Sequence, residues 1–321
     1  MNDVVLDIQG LKTQFVTKKG VVRAVDGVDL QVRRGETLGL VGESGCGKTV
    51  IGLSILGLIE YPGRIVEGKI LFKNEDLVTK STSEMRRLRG DRISMIFQDP
   101  TVTLNPVLRI GDQVAEVFRF HRGMDRKEAV QKAVEVLGLA GIPSPEEHMD
   151  RYPFEFSGGM QQRVIIAIAV ALDPELLVAD EPTTALDLTI QAQIIDLMKM
   201  LREEKKSSII LITHDMGVVA ELCETVAVIY AGNIVEQADL ATILQSPKHP
   251  YTVGLIESIP KLEKHGAGRL KPIPGVLAEP IAPPPGCKFH PRCSHAMPDC
   301  SRIRPAMHEI SPGHRVACHL H

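Results

Sequence analysis

Gly42-Glu43-Ser44-Gly45-Cys46-Gly47-Lys48-Thr49 decides the reading of this chain, because it fits the pattern G-x-x-x-x-G-K-[ST] and lies in the frame that pattern needs. Upstream, residues 37–41 read as a short buried strand; downstream, residues 50–59 have the length and spacing of a helix ending near Pro62 and Gly63. A glycine-rich turn between strand and helix lets backbone N–H groups close around phosphate oxygens, while Lys48 reaches the outer phosphates and the Thr49 hydroxyl ligates Mg²⁺. Gly42, Ser44, Gly45, Cys46, Gly47, Lys48 and Thr49 are therefore the expected contacts to ATP and Mg²⁺. A merely tight turn would account for the glycines but not for Lys48.

Working outward, residues 4–41 alternate apolar and polar positions in bursts broken at Lys18 to Gly20 and at Arg34 and Gly35, which predicts antiparallel hairpin strands. Residues 101–163 carry helical periodicity and predict a helical subdomain. Two further buried strands, 176–179 and 208–213, flank a helix over 190–204 whose last turn is basic, as its dipole favours. Strand and helix alternate, so the core is α/β. The strand at 176–179 runs into Asp180 and Glu181. A parallel strand buried on both faces ends at the ligand crevice, where Asp180 can hold the Mg²⁺ shell and Glu181 can deprotonate a water. An apolar strand followed by acids also describes a strand that simply leaves the core.

Bulk properties narrow the partners. The chain has 321 residues, a formal net charge of -3, 4% aromatic residues and no Trp, which argues against nucleic acid as a partner. Asp3 and Asp7 stand where a secretory leader would need basic and then apolar residues, so none is expected. The longest apolar run, 164–172, is about half the length of a membrane-spanning helix, so any membrane link is expected to pass through a partner. From Ser246 onward the composition turns Pro-, His- and Cys-rich, and four of the six cysteines fall there: Cys287, Cys293, Cys300 and Cys318. Four thiolates suit tetrahedral Zn²⁺ or an iron–sulfur cluster, and their spacing matches neither paired C-x-x-C nor a ferredoxin run. His290, His295, His314 and His319 could substitute as ligands.

Several motifs in a fixed order make the chain resemble the ATP-binding cassette superfamily. Ser157-Gly158-Gly159, followed by Gln161-Gln162-Arg163, resembles its signature loop; Gln98 after residues 93–97 resembles the Q-loop. Ala185-Leu186-Asp187 resembles the D-loop, and His214 after residues 209–213 the switch histidine. The resemblance implies a P-loop NTPase core of the ABC type with an N-terminal antiparallel β subdomain, a helical subdomain at about 99–165 and a Cys-rich C-terminal extension. It also implies two subunits paired head to tail, each signature loop capping the other's phosphate loop, with His214 at the γ-phosphate and Gln98 sensing Mg²⁺ and the attacking water. Phe15 stands at the position resembling the adenine-stacking loop; it would equally suit a core aromatic in a strand. Met160 departs from the usual Gln of the signature and lacks its amide, and Phe156 stands where Leu is common.

After Ser246, His249-Pro250-Tyr251-Thr252, Ile273-Pro274-Gly275, Gly286-Cys287 and Pro291-Arg292-Cys293 resemble the C-terminal extension of oligopeptide, dipeptide and nickel importer ATPases, most of all the D-type subunit of dipeptide importers. That resemblance implies an ABC nucleotide-binding domain at 1–245 and an extension at 246–321. It favours a structural [4Fe–4S] cluster over Zn²⁺ at the four cysteines, redox sensing being the alternative role. The expected function is ATP hydrolysis that powers import of di- or oligopeptides at the cytoplasmic face of the membrane. The partners are a second, F-type ATPase, two permease subunits and, indirectly, an extracytoplasmic peptide-binding protein. The other readings are a nickel importer ATPase, a soluble cassette ATPase of translation or DNA repair, and a metal-binding module that ATP merely switches.

Overall fold

The computed structural model describes residues 3–184, 187–259 and 273–321. The chain opens with two long strands, β1 (Val4–Thr17) and β2 (Gly20–Arg33), then the wholly buried β3 (Thr37–Val41). Helix α1 (Lys48–Ile55) precedes β4 (Gly63–Phe72) and β5 (Glu75–Asp76). Next come α2 (Thr82–Leu88), β6 (Ile93–Ile96), α3 (Pro100–Thr103), α4 (Ile110–Arg122), α5 (Arg126–Leu139) and α6 (Gly158–Val170). The order continues with β7 (Leu176–Asp180), α7 (Leu188–Lys205), β8 (Ser208–Thr213), α8 (Met216–Leu222) and β9 (Thr225–Tyr230). It ends with β10 (Asn233–Asp239), α9 (Leu240–Gln245), α10 (Pro250–Glu257), β11 (His308–Ser311) and β12 (His314–Val316).

Two compact units emerge. The first comprises Met1–Val5, Val32–Thr37 and Thr79–Ile212; the second comprises Leu6–Gln31, Leu38–Val78 and Thr213–His321.

In the first unit β6, β7 and β8 run parallel, with Ile96 opposite Ala179 and Ala179 opposite Leu211. All five residues of β7 are buried, which is why its sequence is a continuous apolar run rather than an alternation. Helices α4, α5 and α6 pack on one another. In α4 the buried set Ile110, Val114, Ala115 and Phe118 follows helical spacing, and the helix stops at Gly123 with φ 64. A capping box between Asp125 and Glu128 starts α5, and the Asp187 carboxylate caps α7 by accepting from Ile190 N–H. The helical reading of 101–163 and the strands at 176–179 and 208–213 thus find their elements.

The second unit holds an antiparallel sheet in the order β2-β1-β4-β5, which answers to the hairpin expected from residues 4–41. It also holds a run ordered β11-β12-β10-β9-β3, in which β3 pairs parallel with β9 and the other neighbours pair antiparallel. Helix α1 stops at Ile55 instead of reaching residue 59, because Gly57 and Leu58 turn back and donate their N–H groups to Ser54 and Leu53 carbonyls at 3.1 and 2.8 Å. Strands after Ser246 join this sheet: β12 pairs with β10, placing Val316 opposite Glu236, and β11 extends the edge.

Candidate functional site

The phosphate-type loop leaves the buried end of β3 and enters α1 with Gly47 at the N-cap. Gly47 has φ 108, and a Cβ there would lie 2.3 Å from the Ala24 carbonyl oxygen, so only glycine fits. Lys48 folds back over the loop: its Nζ donates to the carbonyls of Gly42 at 2.8 Å and Glu43 at 3.0 Å, and the residue is 7% exposed. An ammonium held above a concave set of backbone N–H groups at a helix start is a receptor for a polyanion. Ser44 and Gly45 are exposed on the loop, Thr49 is half-buried and Cys46 is buried, where burial pushes its thiol up. Cys46 thus packs the loop, its carbonyl accepting from Gly232 N–H at 2.8 Å.

In the same unit, Phe15 lies half-buried near the end of β1, opposite Gly63 of β4. A Cβ at position 63 would meet its ring at 2.5 Å, so the ring is seated on glycine backbone. Two residues earlier on the same strand face, the Thr13 hydroxyl meets Ser54 of α1 at 3.0 Å, which ties β1 to the helix that carries Lys48. His214 is exposed just after β8, between buried Thr213 and Asp215, whose carboxylate caps α8.

The first unit gathers the acidic and signature residues. Because Ile96 and Ala179 are register partners on parallel strands, Gln98 and Glu181 each stand two residues beyond adjacent strand positions, at one end of the sheet. Gln98 is exposed. Asp180 closes β7 at 1% exposure, an all-oxygen donor that suits a hard divalent cation, as do the Thr49 hydroxyl and the Gln98 carbonyl. Glu181 has φ 50, an unusual conformation for a residue with a Cβ. It is held there by its N–H donating to Ile212 carbonyl at 2.8 Å and by the Thr184 hydroxyl donating to its carboxylate at 2.6 Å.

Ser157, Gly158 and Gly159 begin α6, and the Ser157 hydroxyl caps it by accepting from Met160 N–H at 3.3 Å. Ser157 and Gly158 are exposed, so this helix start faces outward. One turn on, buried Gln162 donates to the Pro182 carbonyl at 3.2 Å, linking the signature helix to the turn that bears Glu181. Sequence reasoning passed over Thr184, which braces the Glu181 carboxylate, and placed Gln162 only in the signature loop, without its bond to Pro182. Asp187 is exposed; Ala185 and Leu186 of the expected D-loop lie outside the described residues.

The four tail cysteines correct an expectation. Cys287 and Cys300 are joined through the backbone, Cys287 N–H donating to the Cys300 carbonyl at 2.8 Å. Yet among the described residues no group of three or more His, Cys, Asp or Glu is arranged to hold a metal ion, so the expected [4Fe–4S] cluster, and Zn²⁺ in its place, finds no support. Burial pushes the Cys287, Cys293 and Cys318 thiols up, and Cys300 Sγ accepts from Met297 N–H at 3.4 Å.

Buried polar links order this segment instead. Glu236, fully buried on β10, accepts from Lys248 and His249 N–H groups at 2.8 Å each and pairs with His314 Nε2 at 2.8 Å. Asp26 pairs with Lys288 at 2.9 Å, which with Arg304 holds its carboxyl below the usual range against the opposing effect of burial. Tyr230, Tyr251 and Phe289 form a cluster with ring centroids 4.7 to 5.4 Å apart.

Residues 25–184 match the ABC transporter family, and residues 235–300 match the C-terminal region of the oligopeptide/dipeptide transporters. The chain is 48% identical over 317 residues to the dipeptide transport ATP-binding protein DppD of Bacillus subtilis, covering 98% of this chain and 94% of that one. It is 47% identical to the oligopeptide transport ATP-binding protein AppD of the same organism, covering 98% and 96%. Among solved structures, the ATP-binding cassette MJ0796, a dimer in a post-hydrolysis state bound to ADP and Pi, superposes with a TM-score of 0.68. It is 28% identical and covers 73% of this chain and 98% of that one. No helix among the described residues is long and apolar enough to cross a membrane.

Proposed function

The chain belongs to the ABC transporter family, and from that premise we propose that it is the ATP-hydrolysing subunit that powers import of dipeptides or oligopeptides across the cytoplasmic membrane. The observation that carries the substrate class is the similarity of nearly the whole chain, residues 235–300 included, to peptide-transport ATP-binding proteins. A nickel substrate has no such support.

Roles follow from the side chains. The loop amides of residues 42–47 and the Lys48 ammonium bind the β- and γ-phosphates, and Phe15 offers its ring to the adenine. Mg²⁺, when bound, is held by Thr49, Gln98 and Asp180 and supplies positive charge to the phosphates. Glu181 takes the proton of the attacking water, and the Thr184 hydroxyl aims its carboxylate. His214 bonds to the γ-phosphate. The outward start of α6 at Ser157, Gly158 and Gly159 presents N–H groups to the nucleotide of a second, F-type subunit in a head-to-tail pair, with Asp187 at the junction; that the cassette MJ0796 is dimeric supports pairing of two cassettes.

In this reading residues 1–245 form the motor domain, with the helical part at about 99–165 passing motion to two permease subunits, and 246–321 form the importer-type extension. The protein sits at the cytoplasmic face through those permeases, and an extracytoplasmic peptide-binding protein delivers the cargo. The test is ATP-dependent uptake of a labelled dipeptide into proteoliposomes holding the full assembly. Uptake should vanish with Glu181→Gln in this subunit; ATP hydrolysis stimulated by nickel and not by peptide would overturn the substrate class.

A further inference from the structure

Three short motifs after Ser246 have no part in the roles just assigned; two of them reach one residue of the phosphate-type loop, and the third holds the arginine that does so. The Glu43 carboxylate receives Arg292 Nη1 at 2.6 Å and Nη2 at 3.0 Å, a bidentate pair. Glu43 N–H donates to the Tyr251 hydroxyl at 2.8 Å. Arg292 is itself gripped by the second motif, its Nε donating to Pro274 carbonyl at 2.7 Å and its Nη2 to Ile273 carbonyl at 3.4 Å. Its side chain is 4% exposed, with the guanidinium 5.7 Å from the Tyr230 ring centroid and 5.9 Å from that of Phe289. Meanwhile the Glu43 carbonyl is one of the acceptors that hold Lys48. Glu43 is thus a junction: its carbonyl faces the phosphate lysine, its N–H a buried tyrosine, its carboxylate a buried arginine.

Such a carboxylate is out of place in a loop that must accept a polyanion, unless a fixed cation offsets it. We propose that Arg292 and Tyr251 are positioning residues for nucleotide: Arg292 neutralises and anchors Glu43, Tyr251 holds its backbone, and the C-terminal segment thereby sets the affinity of the loop for polyphosphate. Arg suits this place better than Lys, because a planar fork can bind both carboxylate oxygens while its Nε holds the Pro274 carbonyl. The inference rests on residues 42–49 being the ATP-binding loop.

The test is equilibrium binding of MgATP to the full-length chain and its variants, with circular dichroism and thermal melting to monitor the fold. Arg292→Gln leaves the Glu43 charge uncompensated and should weaken MgATP binding about tenfold at low salt, the size of one charge–charge interaction. That loss should shrink at high salt, as screening requires. The double variant Glu43→Gln/Arg292→Gln removes both charges and should recover to within about threefold of the parent, which a purely structural anchor would not allow. Parent-like binding by Arg292→Gln, or a double variant no tighter than the single, would overturn the proposal. Should the Arg292 variants fail to fold, Tyr251→Phe decides: weaker MgATP binding at an unchanged melting temperature supports it, unchanged affinity refutes it. Lys48→Gln serves as control, and if it binds MgATP as the parent does, the phosphate-loop assignment itself falls and this inference with it.

Discussion

His249 should make the protein acid-sensitive in a window that carboxylates do not explain. It caps α10, and its Nδ1 accepts from Tyr251 N–H at 3.1 Å, which requires the neutral ring with its proton on Nε2. The residue is 1% exposed, and burial, aided by His321, lowers its pKa from 6.5 to about 3. The unfolded chain therefore takes up a proton near pH 6.5 that the folded chain refuses until about pH 3. His249 costs nothing above pH 6.5, and stability falls as the pH drops below it. Integrating the linkage between pH 7 and pH 5 gives a loss of about 2 kcal/mol from this side chain alone. His249→Asn keeps a cap acceptor and removes the titration. The variant should be about 1 kcal/mol less stable at pH 7.5, for want of the ring packed against Phe289. It should equal or exceed the parent at pH 5. Urea unfolding of both proteins by circular dichroism at half-unit pH steps gives the difference. A difference that does not change between pH 7 and 5, or an His249 imidazole that titrates near 6.5 in histidine-labelled NMR spectra, would refute the reasoning.

Glu181→Gln should lower ATP turnover by about 10³-fold while leaving MgATP affinity within a few-fold of the parent, since only the proton acceptor is lost; phosphate release and equilibrium binding measure the two separately. Gly47→Ala forces a Cβ to 2.3 Å from the Ala24 carbonyl, so the loop must shift and MgATP binding should drop well over tenfold, as titration would show. Glu236→Gln leaves His314 and two buried N–H groups short of a charged acceptor and should cost about 3 kcal/mol, read from the urea midpoint; an unchanged midpoint would mean that this buried cluster carries little of the tail's order.

The nucleotide-type loop could be read from sequence because phosphate imposes both residue type and spacing: glycines where backbone must approach closely, and a lysine one step into the helix. Strands β6, β7 and β8 were open to reading for a similar reason, since a strand covered on both faces shows as an unbroken apolar run. The brace around Glu181 was hidden. Glu181, with its φ of 50, bonds to a carbonyl on β8 and to Thr184, and Gln162 bonds to the adjoining Pro182 carbonyl, none of which leaves a local periodicity.

The tail shows where counting misleads. Four cysteines in a Pro-rich segment poor in apolar residues call for a metal centre to stand in for a core. What orders the segment, however, is reach across the sequence: Arg292 to Glu43 spans 249 positions and Lys288 and Arg304 return to Asp26. His314 likewise closes on Glu236, 78 positions away. Each partner alone reads as an ordinary surface charge, because burial and pairing exist only once the chain has folded back. The consequence is physical. A segment fastened by buried and half-buried ion pairs and a few aromatic rings is sensitive to the loss of a partner, most of all where the charge left behind is shielded from water, as at Glu236. One of those charges belongs to the loop that meets nucleotide, so damage to the tail should register first as weakened ATP binding and only later as unfolding.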